Sequence, residues 1–217
     1  MLATHRTFRK PLVQELISAV FRLFLASCVS CGLMELDLRA LDALNGRTRL
    51  LLVANHPSMI DVFLVLSRVR RVTCLMKASI GTNLFLAVGA YLAGYVSNRS
   101  SERLLREAVA ALRSGDLLLA FPEGTRTTRQ PLNPIKPGFA VIARRAQAPL
   151  QPILLLTNSP YLSKGWKIWR PPQFPVRYQA RLGADLPTSV PSCETVEQLQ
   201  NYYLQAMHCS IDPNLTL

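Results

Sequence analysis

The sequence predicts an α/β fold: a mostly parallel central sheet flanked by helices, with an amino-terminal membrane-associating helix. Three observations carry this. Apolar runs of strand length stand at Leu50–Ala54, 117–121 and 150–156, and such runs read as buried strands. Segments of roughly ten residues with helical apolar spacing alternate with them, which is the pattern of strand–helix–strand units. Residues 12–34 are almost continuously apolar and follow the basic cluster Arg6, Arg9 and Lys10.

Glu15 and Arg22 interrupt that first stretch, whereas a clean spanning helix needs about 20 uninterrupted apolar residues. It is therefore expected to lie in the membrane interface or to dip into one leaflet; an ordinary core-packing helix is the alternative. Apolar alternation at Leu36 and Leu38 follows, then a turn at Asn45-Gly46 and the run Leu50–Ala54, which ends on Asn55-His56. Pro57 and Ser58 suit the first turn and cap of a helix carrying Ile60, Val62, Phe63, Val65 and Leu66. That places His56 at a strand-to-helix junction.

Strands are expected over 72–76 and 95–97, with an apolar helix over 80–92 between them. Ser100 and Ser101 offer caps for a helix whose stripe is Leu104, Leu105, Ala108, Val109 and Leu112, and Gly115 ends it. Gly138–Ala146 reads as helix, 150–156 and Val176–Leu182 as strands, and 193–207 as a closing helix. The chain thus divides into an apolar helix, 1–34, and an α/β domain, 35–217. A length of 217 residues suits one such domain.

Apolar residues make up 49% of the chain, too many for a disordered protein. The formal net charge of +12 draws the chain toward polyanions. Nucleic-acid binders cluster their cations on one element, but Arg47, Arg70, Arg99, Arg113, Arg145 and Arg170 are dispersed, and no zinc-finger, RNP or basic-zipper signature accompanies them. An anionic lipid surface fits better than nucleic acid. Five cysteines, an odd number, argue against a secreted disulfide scaffold and for a reducing cytosolic setting. Cys28 and Cys31 form a C-x-x-C without a second pair or histidines at zinc spacing, so no metal is expected.

Two constellations carry chemistry, and both fall beyond the carboxyl ends of predicted strands, where chemistry gathers in such sheets. In Asn55-His56-Pro57-Ser58-Met59-Ile60-Asp61 the helix start returns Asp61 toward His56. A carboxylate on one imidazole nitrogen makes the other a base. Ser58-x-x-Asp61 is also a capping box, which is the structural alternative. The second constellation is Phe121-Pro122-Glu123-Gly124-Thr125-Arg126. Here Arg126 suits a phosphate, Gly124 lets backbone amides approach it, and Glu123 suits a substrate hydroxyl. A loop with an internal salt bridge is the plain reading.

Together the two blocks resemble the glycerolipid acyltransferases related to 1-acylglycerol-3-phosphate acyltransferase, whose hallmark is His-x-x-x-x-Asp followed by a Pro-Glu-Gly-x-Arg block. Gly94-Tyr95-Val96-Ser97-Asn98-Arg99 resembles the family's segment between them, with Asn98 where the family usually carries aspartate. Lys136 and Gly138 resemble its Lys-x-Gly, and Ala148 to Pro152 its later proline-bearing segment. The resemblance covers about Leu36 to Leu182. It implies His56 as general base oriented by Asp61, and substrate contacts at Arg99, Glu123, Gly124, Thr125, Arg126 and Lys136. It also implies direct acyl transfer from acyl-CoA or acyl carrier protein to a lysophospholipid hydroxyl, without cofactor, metal or acyl-enzyme.

A lipid acceptor implies work at the cytoplasmic face of the inner (plasma) membrane, with the protein peripheral or monotopic. Tyr161, Lys164, Trp166, Lys167, Trp169 and Arg170 mix aromatic and basic side chains as interfacial segments do; a solvated loop with both tryptophans in the core is the alternative. The helix over 80–92 is expected to line the acyl tunnel, and Arg103, Arg106 and Arg113 suit CoA phosphates, an acidic carrier or plain solvent. The short length and Asn98-Arg99 also resemble small bacterial members of specialised lipid pathways, with an aryl polyene or amino-acid lipid as acceptor. A non-catalytic module binding anionic membrane or nucleic acid is the competing class. A hydrolase would favour Gly-x-Ser-x-Gly, which the chain lacks.

Overall fold

The structure is a computed structural model that describes residues 2–77, 96–98, 100–129, 131–167 and 169–209. The expected helix over 80–92, Tyr95 and Arg99 lie outside the described residues. Seven strands form one sheet: β1 (Met34–Asp37), β2 (Leu50–Ala54), β3 (Val72–Lys77), β4 (Val96–Asn98), β5 (Leu117–Ala120), β6 (Leu150–Thr157) and β7 (Val176–Leu182). Their order is β1-β7-β6-β2-β5-β3-β4. Every neighbouring pair is parallel except β6 with β7.

The all-apolar runs become the sheet's centre because both of their faces are covered. Every residue of β2, β5 and β6 is buried. Leu50, Leu52 and Ala54 face one core, which contains the helices α1 (Leu2–Ser30) and α2 (Asp61–Arg68) and the 3-10 turn Arg39–Leu44. Leu51 and Val53 face the other, with α3 (Ser101–Arg113), α4 (Gly138–Ala146) and α5 (Ser192–His208). Strand alternation, period 2, feeds both layers from one run.

Capping sets the clearest helix. Ser100 accepts from the Arg103 amide at 3.3 Å and starts α3. Gly115, at φ 97°, lets the Asp116 amide reach back to the Ala111 carbonyl at 3.0 Å and stops it, a left-handed closure that favours glycine.

The amino-terminal helix is inverted relative to a soluble amphipathic helix. Its polar side chains face the domain: Gln14 donates to Thr73 Oγ1 at 3.3 Å, Ser18 to the Leu66 carbonyl, and Arg22 Nε to the Ser67 carbonyl at 3.2 Å. Glu15 pairs with Arg71 at 2.8 Å, and Phe21 stacks on Phe63 of α2 at 4.2 Å. Leu12, Leu16, Val20, Leu23 and Phe24 face outward. Glu15 and Arg22, which interrupt the apolar run in sequence, thus lie on the protein side. Pro11–Ser30 is long and apolar enough to cross a membrane.

Candidate active site at the carboxyl edge of the sheet

Parallel pairing of β2 with β5, Val53 opposite Ala120, brings the two chemical blocks together, since each begins just past its strand. The Asn55 side chain continues the ladder where β2 stops: its Nδ2 donates to the Leu155 carbonyl at 2.9 Å and its Oδ1 accepts from the Leu155 amide at 2.7 Å. This buried amide anchors the residue before His56 to β6.

His56 is held from three directions. Its ring nitrogen Nδ1 lies 2.8 Å from Asp61 Oδ2, its face stacks on Phe121 at 4.2 Å, and its amide donates to Glu123 Oε1 at 2.8 Å. A carboxylate accepts only, so in the neutral imidazole this contact puts the hydrogen on Nδ1 and leaves the lone pair on Nε2. The side chain remains 18% exposed.

Asp61 is fully buried. It accepts from the Ser58 amide and the Ser58 hydroxyl, each at 2.8 Å, besides His56. Burial pushes its carboxyl above the usual aspartate range, against the hydrogen bonds from His56 and Ser58. Helix α2 begins at Asp61 rather than at Pro57–Ser58. The four preceding residues form a turn that carries the carboxylate back under the imidazole, and the Ser58 hydroxyl donates to Asp61 instead of capping amides. The Ser58 amide bond is half of a capping box, so Asp61 makes the cap contact and the His56 contact in one geometry. The Tyr178 hydroxyl is buried, and burial pushes it up to about 12 against the neighbouring hydroxyls of Ser58 and Thr157.

The second block divides its labour differently from the sequence expectation. Glu123 is buried and accepts from the His56 amide, from the Thr127 hydroxyl at 3.0 and 2.9 Å to its two oxygens, and from the Asn133 amide at 3.0 Å. Its carboxylate is occupied by protein donors and clamps the loop to His56. Thr127 and Asn133 have no sequence signal of their own; their roles follow from the turn that brings them to Glu123. Asn133 Oδ1 also accepts from the amides of Thr128 and Arg129.

Gly124 sits at φ 68° directly against Lys136, and a Cβ there would lie 2.7 Å from Lys136 Nζ. The Lys136 amide donates to the Pro122 carbonyl at 3.0 Å. Thr125 is half-buried. Arg126 Nη1 donates to the carbonyls of Leu162 and Ser163 at 2.9 and 3.1 Å, which ties the block to the following loop; its other guanidinium nitrogens make no hydrogen bond among the described residues. The Leu162 carbonyl also takes the Met59 amide at 3.1 Å. Leu162 itself holds φ 60°, a conformation an ordinary side chain keeps only where its surroundings over-determine it.

His56, Asp61, Glu123, Gly124, Arg126 and Lys136 therefore gather at one edge of the sheet, while Arg99 lies outside the described residues. Among the described residues no group of three or more His, Cys, Asp or Glu side chains is placed to hold a metal.

The sequence profile of the family described as Acyltransferase matches residues 35–156. A 1-acyl-sn-glycerol-3-phosphate acyltransferase of Cocos nucifera is 27% identical over 170 residues, covering 75% of this chain and 53% of that protein. One from Chlamydomonas reinhardtii is 28% identical over 170 residues, covering 75% and 48%. The chain thus spans about half the length of these curated relatives. The crystal structure of the 1-acyl-sn-glycerophosphate (LPA) acyltransferase PlsC from Thermotoga maritima superposes with a TM-score of 0.71, at 18% identity, over 92% of this chain and 82% of that one. It shares the fold.

Proposed function

Since the chain belongs to the acyltransferase family, we propose that it moves a fatty acyl group from acyl-CoA or acyl carrier protein to the hydroxyl of a lysophospholipid such as 1-acylglycerol-3-phosphate. The observation that carries this reading is the His56 Nδ1 contact with a fully buried Asp61, which leaves Nε2 as the outward base. Nε2 takes the proton of the acceptor hydroxyl as its oxygen attacks the thioester carbonyl. Collapse of the tetrahedral intermediate breaks the C–S bond, and the imidazolium returns the proton to the leaving thiolate. Asp61 holds the tautomer and steadies the cation.

Ser58 is the hydroxyl nearest in sequence, but it donates to Asp61 on the Nδ1 side of the ring. That disposition supports direct transfer rather than a seryl intermediate. Lys136 beside Gly124 and the uncommitted nitrogens of Arg126 supply positive charge for the acceptor's phosphate. The outward apolar face of α1 suits a protein seated on the cytoplasmic face of the inner membrane. The acceptor and both carriers are substrates, so no cofactor enters the reaction.

The test is transfer of labelled palmitoyl from CoA and from acyl carrier protein to a panel of lysolipids in detergent, with His56→Ala alongside. Product that disappears in the variant supports the reading. A folded protein that acylates no member of the panel with either donor overturns it.

A further inference from the structure

The loop over residues 159–170 is the strongest feature the catalytic reading leaves unused. Trp169 is 80% exposed, an unusual place for the largest apolar side chain. Trp166 is half-buried, edge-on to Tyr161 at 6.1 Å and beneath the Arg170 guanidinium at 5.1 Å, with its Nε1 donating to the Arg170 carbonyl at 2.9 Å. Neither tryptophan belongs to the core. Lys164, Lys167 and Arg170 make no ion pair among the described residues. Lys167 Nζ lies over the Trp169 ring at 6.0 Å. An amphipathic ring beside cations that face no carboxylate among the described residues matches the headgroup layer of an anionic bilayer, where aromatic rings settle and cations meet phosphate.

The patch continues an apolar surface. Met59 and Phe174 are also exposed, and the loop is bonded to Met59 through Leu162. Val176, just beyond Phe174, donates to the carbonyl of the exposed Leu33, past the end of α1. Exposed apolar side chains thus stand at Leu33 past the end of α1, at Phe174, at Met59 near His56 and at Trp169. The loop's inner end reaches the site, since the carbonyls of Leu162 and Ser163 receive Arg126.

We infer that residues 161–167 with Trp169 and Arg170 form a second membrane contact, seated in anionic headgroups at the mouth of the site, which holds Arg126 through its backbone while the bilayer holds the loop. The contact deepens the acyltransferase reading, and rests on it only for its effect at Arg126.

The chain has two tryptophans, both in this loop, so intrinsic fluorescence reports it alone. Trp166→Phe leaves Trp169 as sole emitter, to be mixed with phosphatidylglycerol/phosphatidylcholine vesicles carrying brominated chains. The expected result is a blue shift with quenching. Replacing Lys164, Lys167 and Arg170 by Gln should weaken binding to the anionic vesicles about 100-fold. If Trp166→Phe misfolds, the unmodified protein gives the same reading. Protein that sediments with vesicles while its tryptophan emission stays unshifted and unquenched overturns the inference, since α1 alone then makes the contact. A shift produced by acyl carrier protein and not by vesicles overturns it in favour of a protein partner. Neither measurement needs turnover, so quenching in a protein that transfers no acyl group sinks the catalytic reading and leaves the contact standing.

Discussion

The amide of His56 donates to Glu123 Oε1 at 2.8 Å across 67 positions of sequence, so the two chemical blocks share one buried carboxylate. Glu123→Gln replaces one acceptor oxygen by a donor that faces other donors. The expected loss is about 2 kcal/mol, or roughly 4–8 °C in Tm for a chain of this size, with activity falling alongside. Denaturant unfolding and acyl transfer measured on the same preparation check it. Unchanged stability would mean that the clamp is dispensable.

Asp61→Asn should lower turnover by about 10³–10⁴-fold, because an amide in place of the carboxylate no longer selects the Nδ1–H tautomer. Stability should move the other way. Burial raises the Asp61 carboxyl above its unfolded value, so the folded chain keeps that proton longer. The stabilising contribution is full below about pH 4 and is lost as pH rises through the folded value. The variant should therefore gain on the wild type as pH increases from 4 toward neutrality. Parallel unfolding curves at each pH decide this, and a variant whose stability falls relative to the wild type as pH rises rejects it.

Gly124→Ala should displace Lys136, whose Nζ occupies the space of a Cβ, and adds left-handed strain of about 1–2 kcal/mol. The expected kinetic signature is a raised KM for a phosphate-bearing acceptor with a smaller change in kcat. An equal fall in kcat with unchanged KM would place Lys136 outside acceptor binding.

What the sequence made legible is what local pattern determines. The runs at β2, β5 and β6 are apolar because both faces of the sheet centre are covered, and Ser100 and Gly115 bound α3 by capping chemistry; these could be read without the fold. Gly138–Ala146 and Val176–Leu182 match their expected bounds. The start of α2 was misplaced because proline and serine favour a helical first turn, while the bond from His56 to Asp61 requires the chain to turn first. The pairing of Met34 with Val176 depends on contacts across most of the chain and leaves no local trace. In the site, the contact of His56 with Asp61 was legible because their spacing is short. Glu123 stood out in its block, but its bonds to Thr127 and Asn133 did not, since those partners are chosen by a turn that no propensity specifies.

Helix α1 turns Ser18 and Arg22 toward α2 and Gln14 toward β3, and turns Leu12, Leu16, Val20 and Leu23 away, which bears on how the protein is produced in quantity. Cutting before residue 35 to obtain a water-soluble fragment would uncover Phe63 and strip two carbonyls of their donors, exchanging one sticky surface for another. Recoding the outward positions Leu12, Leu16, Val20 and Leu23 to glutamate or lysine, with every inward contact retained, is the route to a preparation that needs no detergent.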